Sequence, residues 1–420
     1  MKVLKSKQNG SVEYSVTIIF HTGKEIDITP HLDYFEIIED ITNFGLTGSF
    51  DFTDVMGIKE FGPLVGGEKI KVLFRTDETF DFVSHDFIIS KIARESQVGN
   101  NLPRKSLKIY FVSELIYNNV NRVFSKSYNH KTVSQIVEDI YTNLLNGTKD
   151  KNFESTKNTI SYIIPFWTPQ KTIQYLMKSA LSSSNDDGGF VFFETLKKVN
   201  FISLMKIYKQ DPVFDFYFHK HVKTDGERYT GYLGIPNYYE NIHTIDILKE
   251  TESGVYGSTI YVFDHALGQF VKYSLNHKNT EKQNNMGQII PIYEGYEAKE
   301  SKVEFYCDYI NDRLGNGVEY QKSIDEQVKL ELRNRVLYGA LNKNAYVIGV
   351  YGNSDLSCGS MITADFKSQD ENDMLNDKMT GRYLLKAIKH KITIEAGYSQ
   401  VLLFTKPFYS ADEMGVMEKV

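Results

Sequence analysis

Cysteine, proline and tryptophan are scarce in this chain: two Cys, nine Pro and one Trp among 420 residues. Cys307 and Cys358 supply neither a disulfide framework nor a zinc ligand set. No apolar run approaches the length of a membrane span, and the opening MKVLKSKQNG lacks the apolar core of a signal peptide. Basic blocks are missing as well. The formal net charge is −6, whereas a protein that grips nucleic acid needs clustered Lys and Arg. These absences exclude a secreted disulfide scaffold and a nucleic-acid clamp, and they point to synthesis and assembly in a reducing cytoplasm.

Catalytic signatures are equally sparse. No Gly-x-Ser-x-Gly elbow occurs, and no Ser/His/Asp order stands out. Gly66–Lys69 (GGEK) lacks phosphate-loop spacing and precedes a strand, so it reads as a turn. His219 and His221, two apart in FYFHKHVK, would share a strand face and could meet a metal, but no third ligand is signed nearby. Asp186 and Asp187 before two glycines lack the spacing of a calcium loop. Glu194 sits among apolar residues, where a general acid could have a raised pKa. With no second carboxylate, its default reading is a strand glutamate satisfied by a backbone or ion-pair partner. Phe214–Phe218 (FDFYF) reads as core or subunit contact. No enzymatic activity, cofactor or metal is expected.

What the chain does have is tyrosine and phenylalanine, 28 and 27 residues, which favour pleated, half-buried surfaces. It also repeats itself. Pro63–Glu78 (PLVGGEKIKVLFRTDE) and Asp355–Asp370 (DLSCGSMITADFKSQD) align with Leu64 on Leu356, Gly67 on Gly359, Ile70 on Ile362 and Phe74 on Phe366. In each copy a second apolar strand follows, HDFIISKI and GRYLLKAI, then a third, LKIYFV and QVLLFT. A fixed order of turn glycine, strand, loop, strand, loop, strand indicates a duplicated domain. Gly67 and Gly359 are expected at equivalent turns.

The first 112 residues read as short antiparallel strands with little room for helices, a closed or nearly closed barrel or sandwich. Helical spacing then appears in Val133, Ile136, Val137, Ile140, Leu144 and Leu145 behind Thr132. A second helix is capped by Thr168, opens on Pro169 and carries Ile173, Leu176, Met177 and Ala180 on one face. Phe190–Glu194 and Asn200–Leu204 form a hairpin. Strands resume at Val255–Phe263 and Gln269–Ser274 and are expected to supply what the second copy otherwise lacks. A helix through Ile324, Val328, Leu332 and Val336 follows before the second copy begins at Ala345. The expected fold is a β-rich α+β chain: two similar antiparallel β-barrels with an inserted α/β region. The boundaries read as a first barrel over 1–112, a middle α/β domain over 113–245, a discontinuous second barrel over 246–406 with an insertion at about 276–325, and a tail over 407–420.

In order along the chain, FEIIEDITNFGLTGSFDFTD, GPLVGGEKIKVLFRT, HDFIISKI, IPFWTP, FVFFETLKKVNFISL, VYGNSDLSCG, TGRYLLKAIKHKI and SQVLLFTKPF resemble the central hub protein of contractile-tailed bacteriophage baseplates. The resemblance implies a structural virion protein. Three chains with two tube barrels each would form a homotrimeric ring of six barrels. That ring would adapt a hexameric tail tube to a trimeric spike among surrounding wedge proteins, and DNA would pass without specific binding during ejection. The place implied is the tail baseplate, assembled in the host cytoplasm late in infection. Type VI secretion spikes share this logic but carry a fused spike; here only Ser410–Val420 follows the last strand, so no needle is expected. Asp51, Asp54, Asp365 and Asp370 are candidate channel-lining residues, giving an acidic or neutral bore. The alternative functions are a cell-wall hydrolase, which would need a paired-carboxylate or nucleophile site, and a glycan-binding module using exposed aromatics.

Overall fold

The computed structural model of the chain describes residues 12–54, 57–58, 64–75, 82–98, 104–184, 188–217, 239–243, 247–264, 268–276, 302–307, 320–341, 344–366, 380–393 and 397–406. The first barrel comprises β1 (Glu13–Ile19), β2 (Glu25–Asp27), β3 (Leu32–Asp40), β4 (Thr47–Asp54), β5 (Lys69–Arg75), β6 (Val83–Val98) and β7 (Arg104–Ser113). Alternation builds it. Val16 and Ile18, Phe35 and Ile37, Phe50 and Phe52, Ile70 and Val72, Phe87 and Ile89, and Ile109 and Phe111 each lie two apart and are buried in one cluster. Helix α1 (Glu114–Val120) leaves the barrel.

The middle region contains β8 (Ser127–Thr132), α2 (Val133–Asp139), β9 (Asp150–Phe153), β10 (Thr159–Ile163), α3 (Pro169–Met177), β11 (Phe190–Glu194), β12 (Lys198–Ser203) and α4 (Leu204–Tyr208). Thr132 starts α2 with a reciprocal cap: its hydroxyl accepts from Gln135 N, and Gln135 Oε1 accepts from Thr132 N. The helical run then loosens into a π turn over Ile140–Leu144. β11 is buried along its whole length and serves two cores, because alternate residues point to opposite sides. Phe190 and Phe192 enter the middle core; Val191 and Phe193 enter the core of the second barrel.

The second barrel is built from β13 (Phe214–Tyr217), β14 (Tyr239–His243), β18 (Ala345–Tyr351), β19 (Met361–Asp365), β20 (Gly381–Thr393) and β21 (Gly397–Thr405). Between β14 and β18 lie α5 (Ile247–Ser253), β15 (Gly257–Asp264), β16 (Gln269–Asn276), β17 (Val303–Cys307) and α6 (Tyr320–Ala340). Here the structure corrects the sequence reading. The hairpin of β15 and β16 forms as expected, but it pairs with β17 in a separate three-stranded sheet packed on α6 through Ile260, Val262, Val328 and Leu332. The strands that complete the second barrel are β13 and β14.

The two barrels are similar strand for strand. One runs β3-β4-β7-β6-β5-β1 and the other β14-β18-β21-β20-β19-β13, with the strands in the same chain order. Ile70 faces Phe87 as Ile362 faces Tyr383, and Ile89 faces Phe111 as Leu385 faces Phe404. Both long strands bulge at the same step, between Ile89 and Lys91 and between Leu385 and Ala387. The copies differ at one edge: β1 runs antiparallel to β5, whereas β13 runs parallel to β19. The barrels share one sheet, because β3 pairs antiparallel with residues 387–393 of β20.

Gly67 (φ +86°) and Gly359 (φ +79°) sit just before β5 and β19 in the left-handed region. Gly67 N–H donates to Ile89 O, and Ile89 N–H donates to Glu68 O, at 2.8 and 2.9 Å. Gly359 N–H donates to Leu385 O, and Leu385 N–H donates to Ser360 O, again at 2.8 and 2.9 Å. A Cβ at Gly359 would also lie 2.6 Å from Phe193 Cζ, whereas at Gly67 the nearest atom is 3.5 Å away. Gly67→Ala is therefore expected to cost about 1–2 kcal/mol through its backbone conformation alone. Gly359→Ala adds overpacking and should cost about 2–4 kcal/mol. Urea unfolding of the two variants checks the order; equal losses would contradict it.

Candidate functional site

The barrels and the middle region meet at the tip of the β11–β12 hairpin, where polar groups are concentrated inside the protein. Glu39, near the end of β3, is fully buried. Its Oε1 accepts from Leu196 N–H at 2.8 Å and its Oε2 from Cys358 N–H at 2.9 Å, with His390 Nε2 3.6 Å away. One carboxylate thus ties the first barrel to the hairpin tip and to a turn and strand of the second barrel. Burial works to raise its pKa. The His390 side chain and the two backbone N–H groups prevail and hold the carboxyl below its usual range. Burial, together with the same carboxylate, pushes the Cys358 thiol well up. His390 Nδ1 lies 2.7 Å from the Tyr398 hydroxyl, and Gln400 joins Tyr398 to the backbone of Asn353.

Glu194, at the end of β11, makes the second tie. Its Oε1 is 2.9 Å from Lys149 Nζ and 3.6 Å from His85 Nε2, while its Oε2 accepts from Leu46 N–H at 3.2 Å. Lys149 Nζ also donates to Thr195 O at 2.6 Å. Burial, aided by the neighbouring Lys149 charge, pushes the His85 pKa well down, so the imidazole is neutral. Burial also lowers Lys149, against the pull of Glu194. Ser84, His85, Glu114, Tyr141, Lys149 and Glu194 line a cavity of about 320 Å³ here. Glu194 is therefore an ion-paired, backbone-bonded strand glutamate.

Sequence reasoning missed Glu39 and His390, although a signal was present. Phe35, Ile37 and Glu39 share a strand face, as do Ile388, His390 and Ile392. A charge continuing an inward-facing apolar row marks a buried polar contact.

The other candidates are dispersed. Asp51 on β4 is partly exposed and lies 3.7 Å from Lys108 Nζ. Asp54, a candidate channel-lining residue, is buried and accepts from Ile58 N–H at 2.9 Å. Asp365 ends β19 opposite Tyr217. Asp370, His219, His221, Asp186 and Asp187 lie outside the described residues. Glu68 is buried within the Gly66–Lys69 turn, and its carboxylate accepts from the N–H groups of Val65 and Gly66, so the anion in this turn is its own. Phe214 and Phe216 are buried in the second core. Among the described residues, no group of three or more His, Cys, Asp or Glu side chains could hold a metal.

Two outcomes test the junction. Glu39→Gln keeps the shape but turns one oxygen from acceptor to donor, and should cost about 3–5 kcal/mol in urea unfolding, as for breaking a buried charged contact. His85 contributes a pH dependence of fixed sign. Its folded pKa is depressed, so the unfolded chain binds the extra proton once pH falls below its ordinary value of about 6.5. Stability from this group is complete above that value and declines as pH falls toward the folded pKa. The thermal midpoint should drop between pH 7 and 5, and His85→Phe should flatten that slope.

No protein-family model matches the chain. A curated relative, the probable baseplate hub protein gp334 of Vibrio phage KVP40, is 19% identical over 400 residues, covering 89% of this chain and 88% of the relative. The tail protein from Neisseria meningitidis MC58 superposes with a TM-score of 0.56 at 12% identity, covering 94% of this chain and 96% of that one. The 43 kDa tail protein of prophage MuSo2 from Shewanella oneidensis gives 0.57 at 11% identity, covering 94% and 99%. The chain has the fold of these tail proteins, and its resemblance to phage baseplate hub proteins runs over nearly its whole length.

Proposed function

We propose that this protein is the hub subunit of a contractile phage tail baseplate: a non-enzymatic homotrimer whose six barrels adapt a hexameric tube to a trimeric spike. The observation that carries the reading is the strand-for-strand repetition of the barrel, with the two copies joined edge to edge through β3 and β20. One chain thereby contains a head-to-tail step from barrel to barrel, and repeating that step by one-sixth of a turn closes a ring at three chains. The name of the Vibrio phage relative supports the baseplate assignment. The virion tail is the proposed location, and tube, spike and wedge proteins are the proposed neighbours. The proposed domain division keeps the first barrel at 1–112, and counts β13 and β14 with the second barrel because they complete its strand order.

The sheet face turned away from the barrel cores suits passing DNA. Carboxylates there are matched by lysines: Glu36 lies 3.2 Å from Lys389 Nζ, and Asp51 is paired with Lys108. Burial alone would raise the Glu36 pKa, but bonds from Tyr34 and Ser49 and the Lys389 charge hold it low, so the pair stays ionised. A face with compensated charge offers phosphates no continuous stripe of free cations. The proposed bore is one of paired charge, within the acidic or neutral bore expected from the sequence.

Native mass measurement of the purified chain, alone and with a spike protein, should give three copies per assembly. Six copies per ring in an isolated particle would overturn the proposal. Duplex DNA should bind no tighter than about 10⁻⁵ M near physiological salt, the non-specific range. A tight, steeply salt-dependent complex would contradict the paired-charge bore.

A further inference from the structure

The cavity of about 320 Å³ at the hairpin tip has walls from three parts of the chain: His85 from β6, Glu114 and Leu115 from α1, and Lys149 with Glu194 from the middle region. Thr148 on its rim is exposed, whereas His85 is only 8% exposed. His85 Nε2 is buried and no protein atom bonds it. The Glu194 oxygen 3.6 Å away lies beyond hydrogen-bond reach. A neutral imidazole has one donor and one acceptor nitrogen, and a buried one without a partner carries an uncompensated desolvation cost. Lys149 Nζ has three N–H groups, of which two serve Glu194 Oε1 and Thr195 O. Two polar groups are thus short of partners, and both line the same cavity.

We propose that this cavity is a binding site for a small neutral polyhydroxylated molecule, about the size of a monosaccharide, held between His85 and Lys149. The site lies within one chain, so it goes beyond the hub reading and stands apart from ring formation.

Charge sets the class of ligand. Lys149 and Glu194 cancel inside, and burial together with the Lys149 charge keeps His85 neutral. Nearer solvent, Glu114 is paired with Lys69 at 2.8 Å, Lys197 is paired with Asp355, and the Asp86 charge also acts on Lys69. An anion would meet Glu194 and a cation would meet Lys149, so neither gains a free counter-ion. A hydroxyl both donates and accepts, so it completes His85 Nε2 in either tautomer. A second hydroxyl accepts from the remaining Lys149 N–H. Leu115, Leu145 and Leu196 also line the cavity and cover the carbon skeleton. A wholly apolar ligand would leave both polar groups unbonded. The volume agrees, because ligand pockets start at about 300 Å³, room for one sugar ring rather than a chain.

Isothermal titration of the purified full chain with glucose, galactose, mannose and myo-inositol tests this, with inorganic phosphate and methylammonium as charged probes. At least one neutral probe should bind with a Kd of about 1 mM or tighter. Two variants locate the binding. His85→Phe removes Nε2 from the wall, and Thr148→Trp narrows the rim from an exposed position. Each should weaken binding by about tenfold or more. Thermal melts of both variants without ligand serve as the folding check. The bound probe should raise the midpoint of the wild-type chain and leave that of Thr148→Trp unchanged. Binding retained by both folded variants would place the probe elsewhere and overturn the proposal. So would tighter binding of phosphate or methylammonium than of any neutral probe, or binding of no probe at all, the cavity then holding solvent alone.

Discussion

The structure depends on the Glu39 carboxylate being held inside the ladder between β3 and β20. A bare carboxylate in that position would cost several kcal/mol of desolvation. Two backbone N–H groups and His390 offset this, and they come from three parts of the chain: the hairpin tip at Leu196, the turn at Cys358 and strand β20. The carboxylate is satisfied only when all three are in place. Barrel orientation and hairpin insertion are thereby coupled, since loss of one donor leaves a buried charge under-bonded.

The β11–β12 hairpin completes that arrangement by serving three cores at once. Phe192 packs in the middle region, Phe193 against Gly359 in the second barrel, and Leu196 in the core of the first. Glu194 anchors the same tip through Lys149 and the backbone of Leu46. A strand buried on both faces has no solvent side to relax toward, which fixes the middle region relative to both barrels. A subunit that holds two barrels in a set orientation needs such a wedge, because backbone ladders alone allow sheets to twist over a range.

The copies match in strand order, turn hydrogen bonds and a shared bulge, yet they are not interchangeable. β13 runs parallel where β1 runs antiparallel, β6 carries a second bulge between Ile92 and Arg94, and a sheet-and-helix unit is inserted between β14 and β18. These differences leave two barrels of one framework that are distinct within each chain, which is what the proposed adaptor requires.

Alternation and turn chemistry were legible in the sequence. They placed the strands around Gly67 and Gly359, the register of Ile70 with Ile362, the capped helices behind Thr132 and Thr168, and the Phe190–Glu194 hairpin. These are local: a period of two, a cap or a left-handed glycine is decided within a few residues. Which strand joins which sheet was not legible. Val255–Ser274 alternates as well as any barrel strand, and period tells which face is apolar without telling what covers it. Phe214–Tyr217 and Tyr239–His243 are short and lie about a hundred residues before β18, so only tertiary packing could seat them beside β19 and β18. The same holds for Glu39 and His390: strand period placed them inward, but partners more than 300 residues apart in sequence are chosen by the need to satisfy a buried charge, a condition that exists only once the chain has folded.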